Sequence, residues 1–351
     1  MKNMSTVNLV EKLYKEHNLS DSELKEILLT TDSEVDKTLQ KYAQKVRDKV
    51  FGKNVYIRGL IEVSNYCKND CYYCGIRRSN KNICRYRLTK EQILDCCKKG
   101  YELGFRTFVL QGGEDFHYSD DDICSIVSEI KSNFGDCAVT LSIGERSYES
   151  YKKYYDAGAD RFLLREETSN PLHYGKLHPQ EMSLENRIQC LYNLKEIGYQ
   201  VGCGIMIGSP YQTVDDIILD LRFFQKFMPH MIGIGPFVPH KDTDFRDKPI
   251  GDLKLTLRTL GIIRLMINDV LLPSTTALST IDPKGRILGI LYGGNVVMPN
   301  LSPQFAKENY TLYDGKLSTG KESGEMVKEL EKSLKNFGYS IEISRGDTPR
   351  K

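Results

Sequence analysis

The sequence carries almost no net charge: 49 basic residues stand against 47 acidic ones, a balance of +2, with the two signs interspersed. A nucleic-acid partner needs a concentrated basic face, so that class is set aside. No apolar run approaches the roughly 18 residues of a membrane helix, and the N-terminal stretch MKNMSTVNLVEKLYKEHNL lacks the apolar centre of a signal peptide. The chain is therefore expected in the cytosol, with no membrane partner. Solenoid-type repeats and low-complexity tracts are missing, and tryptophan is absent, which excludes nothing. No cysteine follows Cys203.

Cysteine before that point is plentiful, at ten residues. Disulfides are disfavoured in the cytosol, so clustered cysteines read first as metal ligands or redox groups. One tight cluster stands out, Cys67–Cys71–Cys74. Cys96, Cys97, Cys124, Cys137 and Cys190 fall on helices or helix ends, where buried structural thiols are the default. Cys203 falls inside a strand, and its orientation decides its meaning.

At 351 residues and 40% hydrophobic content the chain is long enough for one large barrel-type domain. The first fifty residues read as helices, one capped by Asp21 and one opened by Asp32 and Ser33. After Gly52, short apolar runs alternate with amphipathic stretches, the pattern of βα units around a parallel sheet. Eight strands are expected: Tyr56–Val63, Thr107–Leu110, Ala138–Ser142, Arg161–Arg165, Val201–Met206, Met231–Phe237, Pro273–Ala277 and Asn295–Met298. Helices are expected from about Thr89, Ser119, Arg146, Ser183, Thr213, Leu253 and Asp282, the last a short one. The pattern predicts an α/β fold, a (β/α)8 TIM-type barrel over 51–300. Residues 1–50 form an N-terminal helical extension. Residues 301–351 are a C-terminal loop and helix, the helix at Glu322–Asn336, that close the barrel.

Barrel enzymes place their chemistry on loops leaving the C-terminal ends of strands. The cysteine triad follows the first strand, Gln111–Asp115 the second and Arg165–Thr168 the fourth. Three thiolates spaced in this way wrap one corner of a 4Fe–4S cube and leave one iron without a protein ligand, an open site. A zinc site with Cys84 as fourth ligand is the competing reading. Zinc favours paired ligands in short hairpins, and Cys84 has no partner. Gly112 and Gly113 let a ligand approach the backbone closely; an ordinary turn needs the same residues. Glu114 and Glu167 offer carboxylates, and Arg165 and Arg187 offer guanidiniums to an anion. Each also suits a solvated face. Tyr73 either stacks on an aromatic ligand or packs in the core. The Met231–Phe237 strand suits an adenine lying over its glycines, or is a buried strand and nothing more. Ser142, Thr275, Thr276, Asn295 and Met298 fall where side chains reach a barrel mouth. His240 is a candidate lining residue.

The motifs EVSNYCKNDCYYCGIRRSN, RYRLT, VLQGGED, TLSIGE, DRFLLREET, KLHP, IGIGPFVPHKDT, LPSTTALST and GGNVVMPN together resemble the HydE family of FeFe-hydrogenase maturases, within the radical S-adenosylmethionine (SAM) superfamily. The resemblance runs from about Arg47 to Asn300. It implies a (β/α)8 barrel, one 4Fe–4S cluster and SAM. It also implies a 5′-deoxyadenosyl radical acting on an iron–cysteine complex with CO and cyanide ligands, a small organometallic substrate. Other hydrogenase maturases are the expected transient partners. Carried across by position, Cys67, Cys71 and Cys74 ligate the cluster. Tyr73, Gly112, Gly113, Glu114, Ser142, Glu167 and Arg187 contact SAM, and Arg165, Thr275, Thr276 and Met298 contact the substrate.

Two departures stand out. Glu166 occupies a place where the family commonly has His, and an inward-facing carboxylate there would weaken an anion site. Some members carry a second cluster near the C-terminus, whereas the corresponding stretch here, LYDGKLSTGKES, has no cysteine. The competing functions are a related small-molecule enzyme of the methylornithine synthase or biotin synthase type, and a scaffold that carries an iron fragment without turning over SAM.

Overall fold

Helices form in this chain where a capping side chain precedes an amphipathic run, and strands where buried apolar runs end in turn residues. A computed structural model describes residues 5–316 and 323–350. The strands among them are β1 (Asn54–Ile57), β2 (Gly59–Ser64), β3 (Thr107–Gly112), β4 (Ala138–Ser142), β5 (Arg161–Leu163), β6 (Gln200–Ile207), β7 (Met231–Pro236), β8 (Val296–Val297) and β9 (Ser340–Glu342). Strands β2 to β7 form one sheet in chain order, and β8, β1 and β9 form a second. All of their pairings are parallel.

Parallel neighbours need a crossover, and helices supply it. Lys90–Glu102, Asp120–Asn133, Tyr148–Asp156, Leu184–Ile197 and Val214–Phe227 connect successive strands from β2 to β7. Three of them open on reciprocal capping boxes, Thr89 with Gln92, Ser119 with Asp122 and Thr213 with Asp216. Each such cap contributes about 1 kcal/mol. Thr6–Glu16, Asp21–Leu29 and Ser33–Phe51 precede β1, and the last of these packs on Leu253–Met266.

Several expected elements are corrected. The first helical cap is Ser20, whose side chain closes a box with Glu23, so Asp21 lies inside the helix. The expected first strand is broken at Arg58, because β1 pairs with β8 and β9 while β2 pairs with β3. The seventh strand, Pro273–Ala277, reduces to an isolated bridge from Pro273 to Val296. Proline has no N–H to extend a ladder, and Thr276 already begins the helix Thr276–Ile281. The short helix expected near Asp282 starts at Gly285. The C-terminal helix is Ser323–Lys335; Glu322, its expected first residue, lies outside the described residues, as do positions 317–322 of LYDGKLSTGKES generally. Strand β9, which the sequence reading lacked, joins the chain end to β1. Among the described residues, no helix is long and apolar enough to cross a membrane.

The strands are buried almost throughout, with a few half-buried side chains near their C-terminal ends: Gln111, Ser142, Arg165, Met206 and Met298. Glu62, Gln111 and Ser142 are successive partners across β2, β3 and β4. Side chains alternate along a strand, so these residues form one layer at one end of the sheet.

Candidate active site

The loop that leaves β2 carries Cys67, Cys71 and Cys74, and its shape is held by one buried arginine fork. Arg85 donates to the carbonyl oxygens of Ile76 at 2.9 Å and Asn80 at 3.0 Å, and also to those of Asn65 and Arg77. Asp70 accepts from Arg77 Nε at 2.8 Å, which pins the loop between the second and third cysteines. The three thiols lie within electrostatic reach of one another, and burial pushes all three up, Cys74 to about 12. Such thiols stay neutral until a metal ligates them, and metal binding deprotonates a thiol outright.

Among the described residues, no three His, Cys, Asp or Glu side chains converge closely enough to hold a single metal ion. A 4Fe–4S cube places each cysteine on its own iron, so its sulfurs stand further apart than the ligands of one ion. Cys84, the proposed fourth zinc ligand, is exposed. The donor set is three sulfurs from one loop and no fourth, which fits a cluster with one open iron.

The loop after β3 closes over the triad. The Glu114 N–H donates to Cys67 Sγ at 3.4 Å, and the Lys68 N–H donates to the Glu114 carbonyl at 2.9 Å. This approach requires glycine at 113, because a Cβ there would stand 2.2 Å from the Tyr66 carbonyl oxygen and 2.7 Å from Cys67 Cβ. Gly112, just before it, ends β3. Beside this loop, Gly144 adopts a φ of +80°, and a Cβ would fall 1.8 Å from Glu114 Cγ. Glycine is the residue that tolerates both demands.

Glu114 is buried and accepts from Arg187 Nη2 at 3.0 Å, with Lys68 Nζ at 3.3 Å on its other oxygen. Arg187 bridges onward from Nε to Glu145 at 2.8 Å. Burial alone would raise the Glu114 carboxyl, but the charges of Arg187 and Lys68 outweigh it and hold the group below its usual range. Arg187 is pulled the same way: burial opposes its charge, and Glu114 and Glu145 more than restore it.

After β5 the backbone is bent at Glu167, whose φ is +67°. A non-glycine residue in this region stores backbone strain, a feature concentrated at functional sites. Glu167 accepts from Arg165 Nη2 at 2.9 Å, while burial raises its carboxyl. Glu166 is fully buried, and its Oε2 accepts the Gly204 N–H at 2.9 Å. Its electrostatic neighbours are Asp220 and Glu167. Asp220 accepts the Ser169 N–H at 2.5 Å and is pushed up to about 8, chiefly by burial. The carboxyl of Glu166 is thus tied to the β6 backbone and kept protonated by burial, so it puts no negative charge beside Arg165. Cys203 is fully buried and shares this environment.

The remaining expected residues divide. Tyr73 donates to His178 Nε2 at 3.2 Å and meets its ring edge-on at 5.5 Å. His178 donates from Nδ1 to the Tyr174 carbonyl at 3.0 Å, and burial lowers it to about 3, which keeps it neutral. Tyr73 therefore has protein partners of its own. Thr275 sits at a helix N-cap without making the cap bond, and its Oγ1 is buried with no partner. Thr276 is half-buried and its carbonyl accepts from Thr280. Met298 packs against the apolar group of Leu163, Met231, Leu271 and Val296. Asn295 turns away: its Oδ1 accepts from the Leu272 N–H at 2.8 Å and from Arg264. His240 is buried against Gly75 of the cysteine loop.

Sequence reasoning missed Glu62, Lys316, Glu145, Arg85 and Arg286. Glu62 is fully buried and paired with Lys316 at 2.5 Å and Asn300 Nδ2 at 2.8 Å. A lone acid inside the apolar run LIEV was its signal. The others carry no local signal, because their partners lie far away in the chain.

The sequence pattern of the Radical SAM superfamily matches residues 61–224, the span that holds the triad and both acidic loops. The chain is 45% identical to the [FeFe] hydrogenase maturase subunit HydE of Thermotoga maritima over 314 residues, 90% of this chain and 89% of that one. It is 31% identical to the 3-methylornithine synthase of Methanosarcina barkeri, over 96% of this chain and 92% of that one. Among solved structures, a crystal structure of methylornithine synthase superposes with a TM-score of 0.81 at 27% identity, covering 95% of this chain and 97% of that chain.

Proposed function

The chain belongs to the radical SAM superfamily and, within it, to the HydE family, and from that premise we propose that Cys67, Cys71 and Cys74 hold one 4Fe–4S cluster whose open iron takes SAM. The protein is a radical SAM enzyme and a hydrogenase maturase. The observation that carries the reading is the 45% identity over 90% of the chain, joined to a triad that fits a three-thiolate cluster. The cluster supplies one electron for reductive cleavage of SAM.

The chain's own residues position the reactants. The Glu114 N–H stabilises the negative charge of the Cys67 sulfur, as a donor to an ionised acceptor does. Gly112, Gly113 and Ser142 offer backbone and hydroxyl groups to the methionine end of SAM. Glu114 and Glu167 are the anionic contacts for its amino group and ribose, and Arg187 is the cation for its carboxylate. Tyr73 borders the adenine. Arg165, Thr275, Thr276 and Met298 face the substrate, an iron–cysteine complex bearing CO and cyanide, supplied by another maturase in transient contact.

We read the two sheets as a single (β/α)8 barrel. Isolated bridges from Met231 to Leu271, Pro273 to Val296 and Leu60 to Asn300 join the sheet edges and support this. Residues 1–50 are then an N-terminal extension, 51–300 the barrel and 301–351 a closing segment. We place the protein in the cytosol, with neither nucleic acid nor membrane as partner.

The test is maturation of apo-hydrogenase in a defined reaction that lacks only this component. Adding the reconstituted protein is expected to restore hydrogen production. Failure there, alongside turnover of lysine to methylornithine, would assign the chain to the other relative.

A further inference from the structure

Three guanidiniums stand near the C-terminal ends of the strands, and their partners differ. Arg187 is paired with Glu114 and Glu145. Arg165 is paired with Glu167. Arg286 has no protein partner: its Nε is enclosed and unbonded, and no carboxylate acts on it. Removing a guanidinium from water without an anion is costly, so buried cations are found paired.

The surroundings of Arg286 are fixed by contacts. Its own carbonyl accepts Ser274 Oγ at 2.8 Å, which ties the start of helix Gly285–Leu291 to the residue beside Thr275. Thr275 Oγ1 is a second buried group without a partner. Tyr313, half-buried, lies beside Thr280 and feels the charges of Arg165, Arg286 and Glu62. Glu62 is cancelled by Lys316, and Arg165 by Glu167. One positive charge is left over in this neighbourhood, on Arg286.

We propose that Arg286, with the hydroxyls of Thr275 and Tyr313, forms a subsite for a carboxylate of the substrate. A planar fork flanked by neutral hydroxyls matches a planar monoanion, and no lysine or second free guanidinium is present to balance a phosphate dianion. The subsite deepens the proposed function and rests on it: the substrate is an amino-acid-type molecule that keeps its carboxylate. It adds Arg286 and Tyr313 to Arg165, Thr275 and Thr276, and gives the anion-reading role to the unpaired arginine.

The test compares two probes on the reconstituted holoenzyme with SAM present, by ligand-observed NMR. The probes are S-methyl-L-cysteine and 2-(methylthio)ethylamine, which differ by the carboxylate. The wild type is expected to favour the first by about 10-fold or more, the range of a charge-assisted bond. Arg286→Gln is expected to erase the preference and Arg286→Lys to keep part of it, with thermal melts checking that each variant folds. An unchanged preference in Arg286→Gln, or none in the wild type, overturns the subsite. So does a loss of SAM affinity in place of probe affinity, because it assigns the arginine to the cofactor. Probe binding is read without maturation, so the subsite and the maturase reading fail separately.

Discussion

Buried charge is handled differently at the two ends of the strands. Arg161, the first residue of β5, spends every donor: it pairs with Asp347 at 2.5 Å and donates to Thr107 Oγ1 at 2.9 Å, the Arg345 carbonyl at 2.8 Å and Gln200 at 3.1 Å. The C-terminal residues 344–350 fold back to supply those partners, and Arg345 adds its own pair with Asp160 at 2.8 Å. At the opposite end, Arg165 Nε, Thr275 Oγ1 and Arg286 Nε are enclosed and unbonded. The chain closes one end with itself and leaves the other in need of ligands. The closed end serves stability and the open end serves chemistry, as in barrel enzymes generally.

Exchanging functions between the ends is the way to break that comparison, and the largest effect is expected at the open end. Glu114→Gln is expected to slow 5′-deoxyadenosine formation by roughly 10–100-fold through weaker SAM binding. Arg187 keeps Glu145 in that variant, so a thermal melt should move little. A melt that falls as steeply as the rate would show that Glu114 is structural.

A reciprocal result is expected at the closed end. Asp347→Asn leaves the Arg161 charge buried and should cost about 1–3 kcal/mol, below the 3–5 of a fully buried pair, because Asp347 keeps solvent contact. Burial raises the Asp347 carboxyl, but Arg161, Arg345 and Gln200 outweigh it, and the folded-state pKa is depressed. Its stabilisation is therefore present above the unfolded value near 3.9 and lost as pH falls through the folded one. Urea melts from pH 7 down to pH 3 should show a flatter acid limb for the variant, with SAM cleavage per folded molecule unchanged at pH 7.

The smallest effect lies between the ends, at Asp220. Its folded pKa is raised to about 8, so the folded state holds a proton that the unfolded state has released. Stability from this group falls as pH rises from about 4 to 8. Asp220→Asn should remove that slope, read as a smaller difference in melting temperature between pH 6 and pH 8. An unaltered slope would place the titration on Glu166 instead.

The open end was largely legible in the sequence because its signals are local. The triad is spaced within eight residues, the Gly112–Gly113 pair follows a strand, and capping side chains mark Thr89, Ser119 and Thr213. The closed end was not. Arg161 finds Asp347 across most of the chain, and β9 joins β1 with nothing in either segment announcing the partner. Strand seven misled because Pro-Ser-Thr-Thr-Ala reads as β-branched, while a proline and a helix start consume it. Arg286 was silent for a related reason: an unpaired arginine is defined by partners that fail to appear, and only packing shows that.

The measurement that bears most directly on the central claim is 5′-deoxyadenosine formation by anaerobically reconstituted protein with SAM and a reductant. Wild type is expected to form it, and Cys71→Ala to form none while keeping its fold. An equal rate in Cys71→Ala would contradict the cluster site and the radical SAM mechanism built on it.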